Sequence, residues 1–201
     1  LDIGKLASEW LAEQANYASK AEFLTDKLAK LPSQQAIEPR DVVLYGFGRI
    51  GRLAARELIK QAGKGQQLRL RAIVTRGSSD ADIIKRASLL RNDSVHGAFK
   101  GTVIEDLANK SLVINGQIVH MIDASNPEDI DYTQFGINNA LIIDNTGVFT
   151  NREQLSRHLQ AKGVSKVLLT APGKEVPNIV YGINQGTLDI ENENIFTGYK
   201  N

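Results

Sequence analysis

The sequence predicts an α/β fold, a doubly wound and mostly parallel sheet preceded by an α-helical extension. Three observations predict it. From Asp41 onward, apolar runs of strand length alternate with helical stretches, the pattern of a sheet covered on both faces. The first of those runs, Asp41-Val42-Val43-Leu44-Tyr45, passes directly into Gly46-Phe47-Gly48-Arg49-Ile50-Gly51 and then into a helix. Ahead of it, Lys5 to Lys30 contain neither Gly nor Pro, so the leading segment reads as helix.

Taken in order, the leading segment places Leu6, Trp10, Leu24, Leu28 and Leu31 at helical spacing among Glu, Lys and Gln, as one long helix or two short ones. Leu31-Pro32-Ser33 ends it, and Gln34 to Arg40 reads as a polar linker. The amphipathic face is expected to pack on its own domain or on a second subunit. The strand from Asp41 then meets G-x-G-x-x-G and a helix from Ile50 to about Ala62, the context of a Rossmann-type dinucleotide site. Gly46 permits the tight turn, Gly48 lets a pyrophosphate approach the backbone, and Gly51 lets helix and strand pack closely. The helix start offers the anion unpaired N–H groups and a partial positive charge.

Leu68 to Thr75 is the second strand and Asp80 to Arg91 a helix. Ser111 to Ile114, Asn115-Gly116 and Gln117 to His120 form a hairpin whose turn tolerates positive φ. Asn126-Pro127-Glu128-Asp129 begins a helical turn, with a capping side chain, a proline in the first position and acids near the positive end. Ala140 to Asp144 is a buried strand, Arg152 to Ala161 a helix, Lys166 to Thr170 another strand, and Asn194-Ile195-Phe196 a further one. This divides the chain into an extension and linker over 1–40 and a Rossmann domain over 41–201.

Composition narrows the function. Lysine plus arginine number 24 against 23 acids, so no general field favours nucleic acid or a membrane surface. No apolar stretch approaches the roughly 18 residues of a membrane span, and a cytoplasmic location is expected. Cysteine is absent, which excludes disulfides, cysteine-bound zinc and a cysteine nucleophile within these residues. The pairs Glu105-Asp106 and Glu128-Asp129 are adjacent in sequence and read as solvated surface rather than a hydrolytic dyad. There is no G-x-x-x-x-G-K-[ST] segment, and Gly173-Lys174 stands alone.

Five segments then occur in a recognisable order: Gly46-Phe47-Gly48-Arg49-Ile50-Gly51-Arg52, Asp93-Ser94-Val95-His96-Gly97, Asn145-Thr146-Gly147-Val148-Phe149, Thr170-Ala171-Pro172 and Gly182-Ile183-Asn184. Together they resemble the coenzyme-binding half of glyceraldehyde-3-phosphate dehydrogenase, over about Asp41 to Phe196. The resemblance implies NAD or NADP as cofactor. It sets the backbone of Arg49 and Ile50 at the pyrophosphate, Thr146 and Gly147, with Phe149 in the same segment, on the adenine side, and Thr170 near the nicotinamide. From the residues alone, Thr146 and Thr170 read as strand-end turn residues, and only the resemblance makes them ligand contacts. His96, His120 and His158 read as structural.

Two departures from the family matter. Where NAD-preferring members end the second strand on an aspartate that binds the ribose hydroxyls, this chain has Thr75 followed by Arg76. Loss of the carboxylate relieves repulsion against a 2′-phosphate, and a guanidinium can pair with it; the alternative is that Arg76 is a solvated loop residue. The family's catalytic cysteine lies in an S-x-x-S-C-T-T-N segment soon after a strand like Asn194 to Phe196, whereas this chain reads Thr197-Gly198-Tyr199-Lys200-Asn201. The resemblance therefore implies a coenzyme-binding part of a phosphorylating aldehyde dehydrogenase, with no catalytic residue of its own, whose partners are NAD(P), a separate catalytic domain and a possible homo-oligomer. Glyceraldehyde-3-phosphate and erythrose-4-phosphate remain open as substrates of the whole. The other reading is a naturally short NAD(P)-binding module with its N-terminal helices as the interaction surface.

Overall fold

A computed structural model describes residues 3–29, 38–63 and 65–198. The chain divides into two compact units between Ile37 and Glu38. In the N-terminal unit the expected helical stretch is two helices, α1 (Ile3–Glu13) and α2 (Lys20–Ala29), joined through a 3-10 turn at Gln14–Asn16. Ser19 opens α2. Its hydroxyl accepts from the Glu22 N–H at 3.2 Å, and the Glu22 carboxylate accepts from the Ala18 N–H at 2.8 Å, a capping box displaced by one residue.

The centre of this unit differs from the expected leucine stripe. Leu24 and Leu28 are exposed, whereas Phe23 is buried edge-on against Trp10 and Tyr17, with ring centroids 5.4 and 5.2 Å away. Two short helices have little surface to bury, and aromatic rings contribute the most per residue. Lys27 crosses from α2 to Glu9 and Glu13 on α1 at 3.2 and 2.9 Å. The stop expected at Leu31-Pro32-Ser33 and the linker from Gln34 to Ile37 lie outside the described residues.

The second unit runs β1 (Arg40–Tyr45), α3 (Arg49–Lys60), β2 (Leu68–Thr75), α4 (Asp80–Arg91), β3 (Asn92–Asp93), β4 (Gly97–Ala98), β5 (Val103–Asp106), β6 (Ser111–Ile114), β7 (Gln117–Asp123), β8 (Ala140–Asp144), α5 (Arg152–Ser156), β9 (Val164–Leu169) and β10 (Ile195–Thr197). One sheet has the order β10-β9-β8-β1-β2-β7-β6-β5. Its parallel strands, β7-β2-β1-β8-β9-β10, stand in the third-second-first-fourth-fifth-sixth order of a Rossmann fold. The winding reverses between β1 and β8, which is where this architecture opens a crevice at the carboxyl ends of its strands.

Alternation along the strands builds a core on each face. Val42, Leu44, Leu70 and Ile73 face the layer of α3 and α4 with Ala55, Ile59, Ile83 and Ala87. Val43, Tyr45, Ala72, Val74 and Ile142 face the other layer with Tyr132, Phe149 and Leu155. Between Val42 and Val43 the β1–β2 register slips by one residue, skipping Arg71. This bulge frees the Arg71 guanidinium to reach the Phe135 carbonyl at 3.0 Å and Asp41 at 3.6 Å.

Several boundaries depart from expectation for physical reasons. β7 continues past His120 to Asp123 because Met121, Ile122 and Asp123 pair with Ile73, Val74 and Thr75, so one strand closes the hairpin and extends the parallel sheet. The hairpin turn has the expected positive φ at both Asn115 and Gly116, 47° and 82°. β5 is an additional strand whose four residues gain their geometry by pairing with β6. The helix expected over Arg152–Ala161 divides into α5 and a 3-10 turn, Arg157–Gln160, where Arg157 and His158 are drawn to fixed acidic partners. The turn after Asn126 is 3-10, and Asn126 does not cap it: its side-chain amide instead donates to the Asp129 carboxylate at 2.8 Å. Glu105 and Glu128, expected as solvated, instead make two-point pairs with Arg91 (2.8 and 2.6 Å) and Arg157 (3.0 and 2.7 Å). Among the described residues no helix is long and apolar enough to cross a membrane.

The short β3–β4 ribbon is built around the buried carboxylate of Asp93. It accepts from the His96 N–H at 2.9 Å and the Val95 N–H at 3.0 Å, and lies 3.0 Å from the His96 ring. The His96 backbone and ring, with the Val95 N–H, hold its pKa well below the usual carboxylate range. A depressed folded-state pKa adds stability above the unfolded value of about 3.9 and loses it as pH falls through the folded value. Asp93→Asn should therefore lower the melting temperature at pH 7, with the gap to the native protein closing below about pH 4. Thermal melts between pH 7 and pH 2 check this, and a gap independent of pH would contradict it.

Candidate functional site

The carboxyl ends of β1, β2, β7 and β8 enclose a cleft of about 390 Å³, within the size range of small-molecule sites. Gly46, Phe47, Gly48, Thr75, Arg76, Thr146 and Phe149, all expected from sequence, line it together. Tyr45, Val74, Arg86, Ala124, Ser125 and Val148 complete the lining.

The three glycines after β1 do three different things. Gly46 adopts φ +93°, and a Cβ there would come within 2.9 Å of the Thr146 methyl and 3.2 Å of its backbone nitrogen. Gly51 lies in the first turn of α3, where a Cβ would fall 2.4 Å from the Gly46 carbonyl oxygen. Helix and turn thus touch backbone to backbone. Gly48 has no atom within 4 Å of its absent Cβ, so that side of the loop is open space at the cleft. As the N-cap of α3, Gly48 brings no capping side chain, whereas Ser79 caps α4 and Asn151 caps α5. The positive end of α3 is left open at the cleft. Arg49 and Ile50 sit in that first turn, exposed, and Gly51 is buried behind them; none of the three belongs to the lining.

The opposite wall descends from β8. Asp144 is fully buried, and its Oδ1 accepts from the Thr146 N–H at 2.8 Å and the Thr146 hydroxyl at 2.7 Å. That hydroxyl oxygen accepts from the Val148 N–H at 3.1 Å, and Gly147 makes the turn with φ +68°. Gly147 is exposed outside the lining. Thr170, just beyond β9, also stays outside: its N–H and hydroxyl both donate to the Asp144 carbonyl at 3.1 and 3.0 Å. Tyr45 and Phe149 pack 6.2 Å apart, and burial, with the nearby Asp144 charge, pushes the Tyr45 hydroxyl pKa up.

At the third side, the Thr75 hydroxyl donates to the Gly77 carbonyl at 3.0 Å, and the Gly77 N–H donates to Asp123 at 2.7 Å. The backbone turns sharply here, with Gly77 at φ +86°, leaving Arg76 exposed at the rim. Arg86 reaches the same rim from α4. It is fixed by Asp82 at 3.1 Å and by the Arg76 carbonyl at 3.1 Å. Sequence reasoning misses Arg86 because its i,i+4 spacing from Asp82 reads as an ordinary surface pair. It misses Ala124 and Ser125 because they follow a strand that reads as ending at His120. Of the other histidines, His96 serves the β3–β4 ribbon, and His120, whose pKa burial lowers, packs tilted against Phe135 with ring centroids 5.0 Å apart; neither lines the cleft.

A family model described as glyceraldehyde 3-phosphate dehydrogenase, NAD binding domain, matches residues 40–152. The chain is 50% identical over 188 residues to a glyceraldehyde-3-phosphate dehydrogenase-like protein of Pseudomonas aeruginosa (strain UCBPP-PA14), covering 92% of this chain and 41% of that protein. It is 36% identical over 154 residues to the glyceraldehyde-3-phosphate dehydrogenase of Zymomonas mobilis, covering 76% and 42%. Against the Lactococcus lactis enzyme of the same name it is 35% identical over 149 residues, covering 74% and 41%. The chain thus spans about two fifths of the length of these relatives. The Pseudomonas match takes in more than half of the first forty residues, whereas the other two are short enough to lie wholly within the sheet unit.

The glycine geometry separates packing from binding. Gly51→Ala forces a methyl into the Gly46 carbonyl and should destabilise by about 1–3 kcal/mol, as other overpacked contacts do. Gly48→Ala places its methyl in open space and should change stability by less than about 1 kcal/mol. Denaturant melts of the two variants check this; equal losses would contradict the assigned division of roles.

Proposed function

The chain belongs to the glyceraldehyde-3-phosphate dehydrogenase family, and from that premise we propose that it is the coenzyme-binding part of an NAD(P)-dependent oxidoreductase. The observation that carries the proposal is the cleft at the β1–β8 reversal, where an uncapped helix start and a side-chain-free Gly48 face open space. That geometry suits a pyrophosphate, which needs N–H donors, a positive helix end and close backbone approach. In this reading Gly46 to Gly51 hold the pyrophosphate, with Arg49 and Ile50 contributing backbone N–H groups. Thr75 and Arg76 meet the adenosine ribose, Thr146, Gly147 and Phe149 the adenine side, and Thr170 the nicotinamide end. The bound nicotinamide supplies a hydride acceptor; these residues bind and orient it. Oxidation and phosphorylation of an aldehyde phosphate are assigned to the whole protein, with the chemistry in the length that the relatives carry beyond this match.

The choice between NAD and NADP turns on the end of β2. Thr75 stands where a carboxylate would repel a 2′-phosphate, and Arg76 and Arg86 bring two guanidinium groups to that rim. Asp82 orients Arg86 but leaves it at the cleft. We assign acceptance of NADP alongside NAD on this basis.

Calorimetric titration tests both levels. NAD and NADP should each bind, with affinities within about tenfold of one another, and Gly48→Ala should weaken both. Arg86→Ala should cost NADP about tenfold or more, the value of a lost charge-assisted contact, with NAD little affected. A folded protein that binds neither nucleotide at millimolar concentration would overturn the coenzyme reading. A preference for NAD above tenfold would overturn the NADP assignment alone.

A further inference from the structure

His158 does not line the cleft, yet four residues that do are tied to its ring. It is 1% exposed, and its Nε2 lies 2.9 Å from Oδ2 of Asp144, itself fully buried. The other carboxylate oxygen holds Thr146 by backbone and hydroxyl, and Thr146 in turn holds the Val148 N–H. The ring also meets Tyr45 edge to face at 4.6 Å and 82°, and Phe149 at 5.4 Å and 84°.

The chemistry of this chain of contacts is directional. The turn after β8 presents an N–H and a hydroxyl that only an acceptor can gather, and Asp144 supplies it. A carboxylate buried there requires a donor on its second oxygen, and His158 provides that donor. Because an ionised carboxylate only accepts, the hydrogen sits on Nε2. Nδ1 has no hydrogen-bond partner, so the polarity of this ring serves Asp144. A purely apolar filler would pack against Tyr45 and Phe149 equally well but would leave Asp144 half satisfied.

We propose that His158 is a positioning residue for the nucleotide: acting through Asp144, it holds the Thr146 to Phe149 wall in the conformation that receives the adenosine half. This rests on the coenzyme reading above.

Two variants and one spectroscopic signature test it. His158→Phe keeps an aromatic ring but removes the donor. His158→Gln places an N–H donor the same number of bonds from Cβ. NAD affinity should fall about tenfold or more in His158→Phe, the scale of a lost hydrogen bond to a charged group, and return close to the native value in His158→Gln. In the unaltered protein the sheltered His158 Nε2–H should give a slowly exchanging proton resonance that shifts when NAD saturates the site, although the ring lies behind the wall. Should His158→Phe fail to fold, His158→Gln and this resonance decide. Native affinity in a folded His158→Phe, loss of affinity in His158→Gln equal to that in His158→Phe, or a resonance unmoved by bound NAD would overturn the proposal and leave the coenzyme reading intact. Absence of NAD binding by the unaltered protein would overturn both.

Discussion

The backbone contact between the first turn of α3 and the turn after β1 is the constraint from which the cleft follows. A side chain at Gly51 would need the space held by the Gly46 carbonyl, so the helix can start this close to the strand only with glycine at 51, while Gly46 itself supplies the φ of +93° that makes the turn. The close start leaves the helix axis aimed at the loop, with no capping side chain between its N–H groups and open space. Because β1 lies at the centre of the sheet, between β2 and β8, the positive end of α3 opens where the winding reverses. Sequence, turn geometry, helix placement and cleft are linked through one contact.

The facing wall is built on a different principle. It touches the glycine turn where Thr146 lies against Gly46, but its own order comes from one buried residue that gathers partners from three places in the chain. Asp144 ends β8, receives Thr146 and His158 on its side chain, and receives Thr170 from beyond β9 on its carbonyl. Buried polar groups are costly unless satisfied and specify geometry when they are. One wall is therefore set by steric exclusion and the other by hydrogen-bond accounting. The rim between them carries two guanidinium groups, those of Arg76 and Arg86.

Much of this was legible in the residues, and the exceptions have identifiable causes. β8 follows from an uninterrupted apolar run, β2 from one broken only by Arg69 and Arg71, and β6 from its place before an Asn-Gly turn whose two residues both adopt positive φ; α4 runs over Asp80–Arg91 as read. β5 was not legible because Val103-Ile104-Glu105-Asp106 carries too short a pattern, and its strand character comes from β6. The true length of β7 was hidden by His120 and Asp123, whose polarity masks a parallel pairing with β2. Phe23 was overshadowed by the more regular leucines, of which the two-helix unit leaves Leu24 and Leu28 exposed. In the site, single-strand motifs such as Gly46 to Gly51 could be read locally. Arg86, Ala124, Ser125 and the Asp144–His158 pair could not, because their roles exist only once separate elements are brought to one end of the sheet.

The central claim is that a dinucleotide lies across the β1–β8 reversal with its pyrophosphate on the start of α3. It is tested most directly by amide resonance mapping of the protein during titration with NAD. The account predicts that the largest shifts fall on Gly48, Arg49 and Ile50, on Thr75 and Arg76, and on Thr146 to Phe149, with the β5–β6 edge unchanged. Shifts confined to other surfaces, with the Gly48 to Ile50 amides unmoved at saturation, would contradict it.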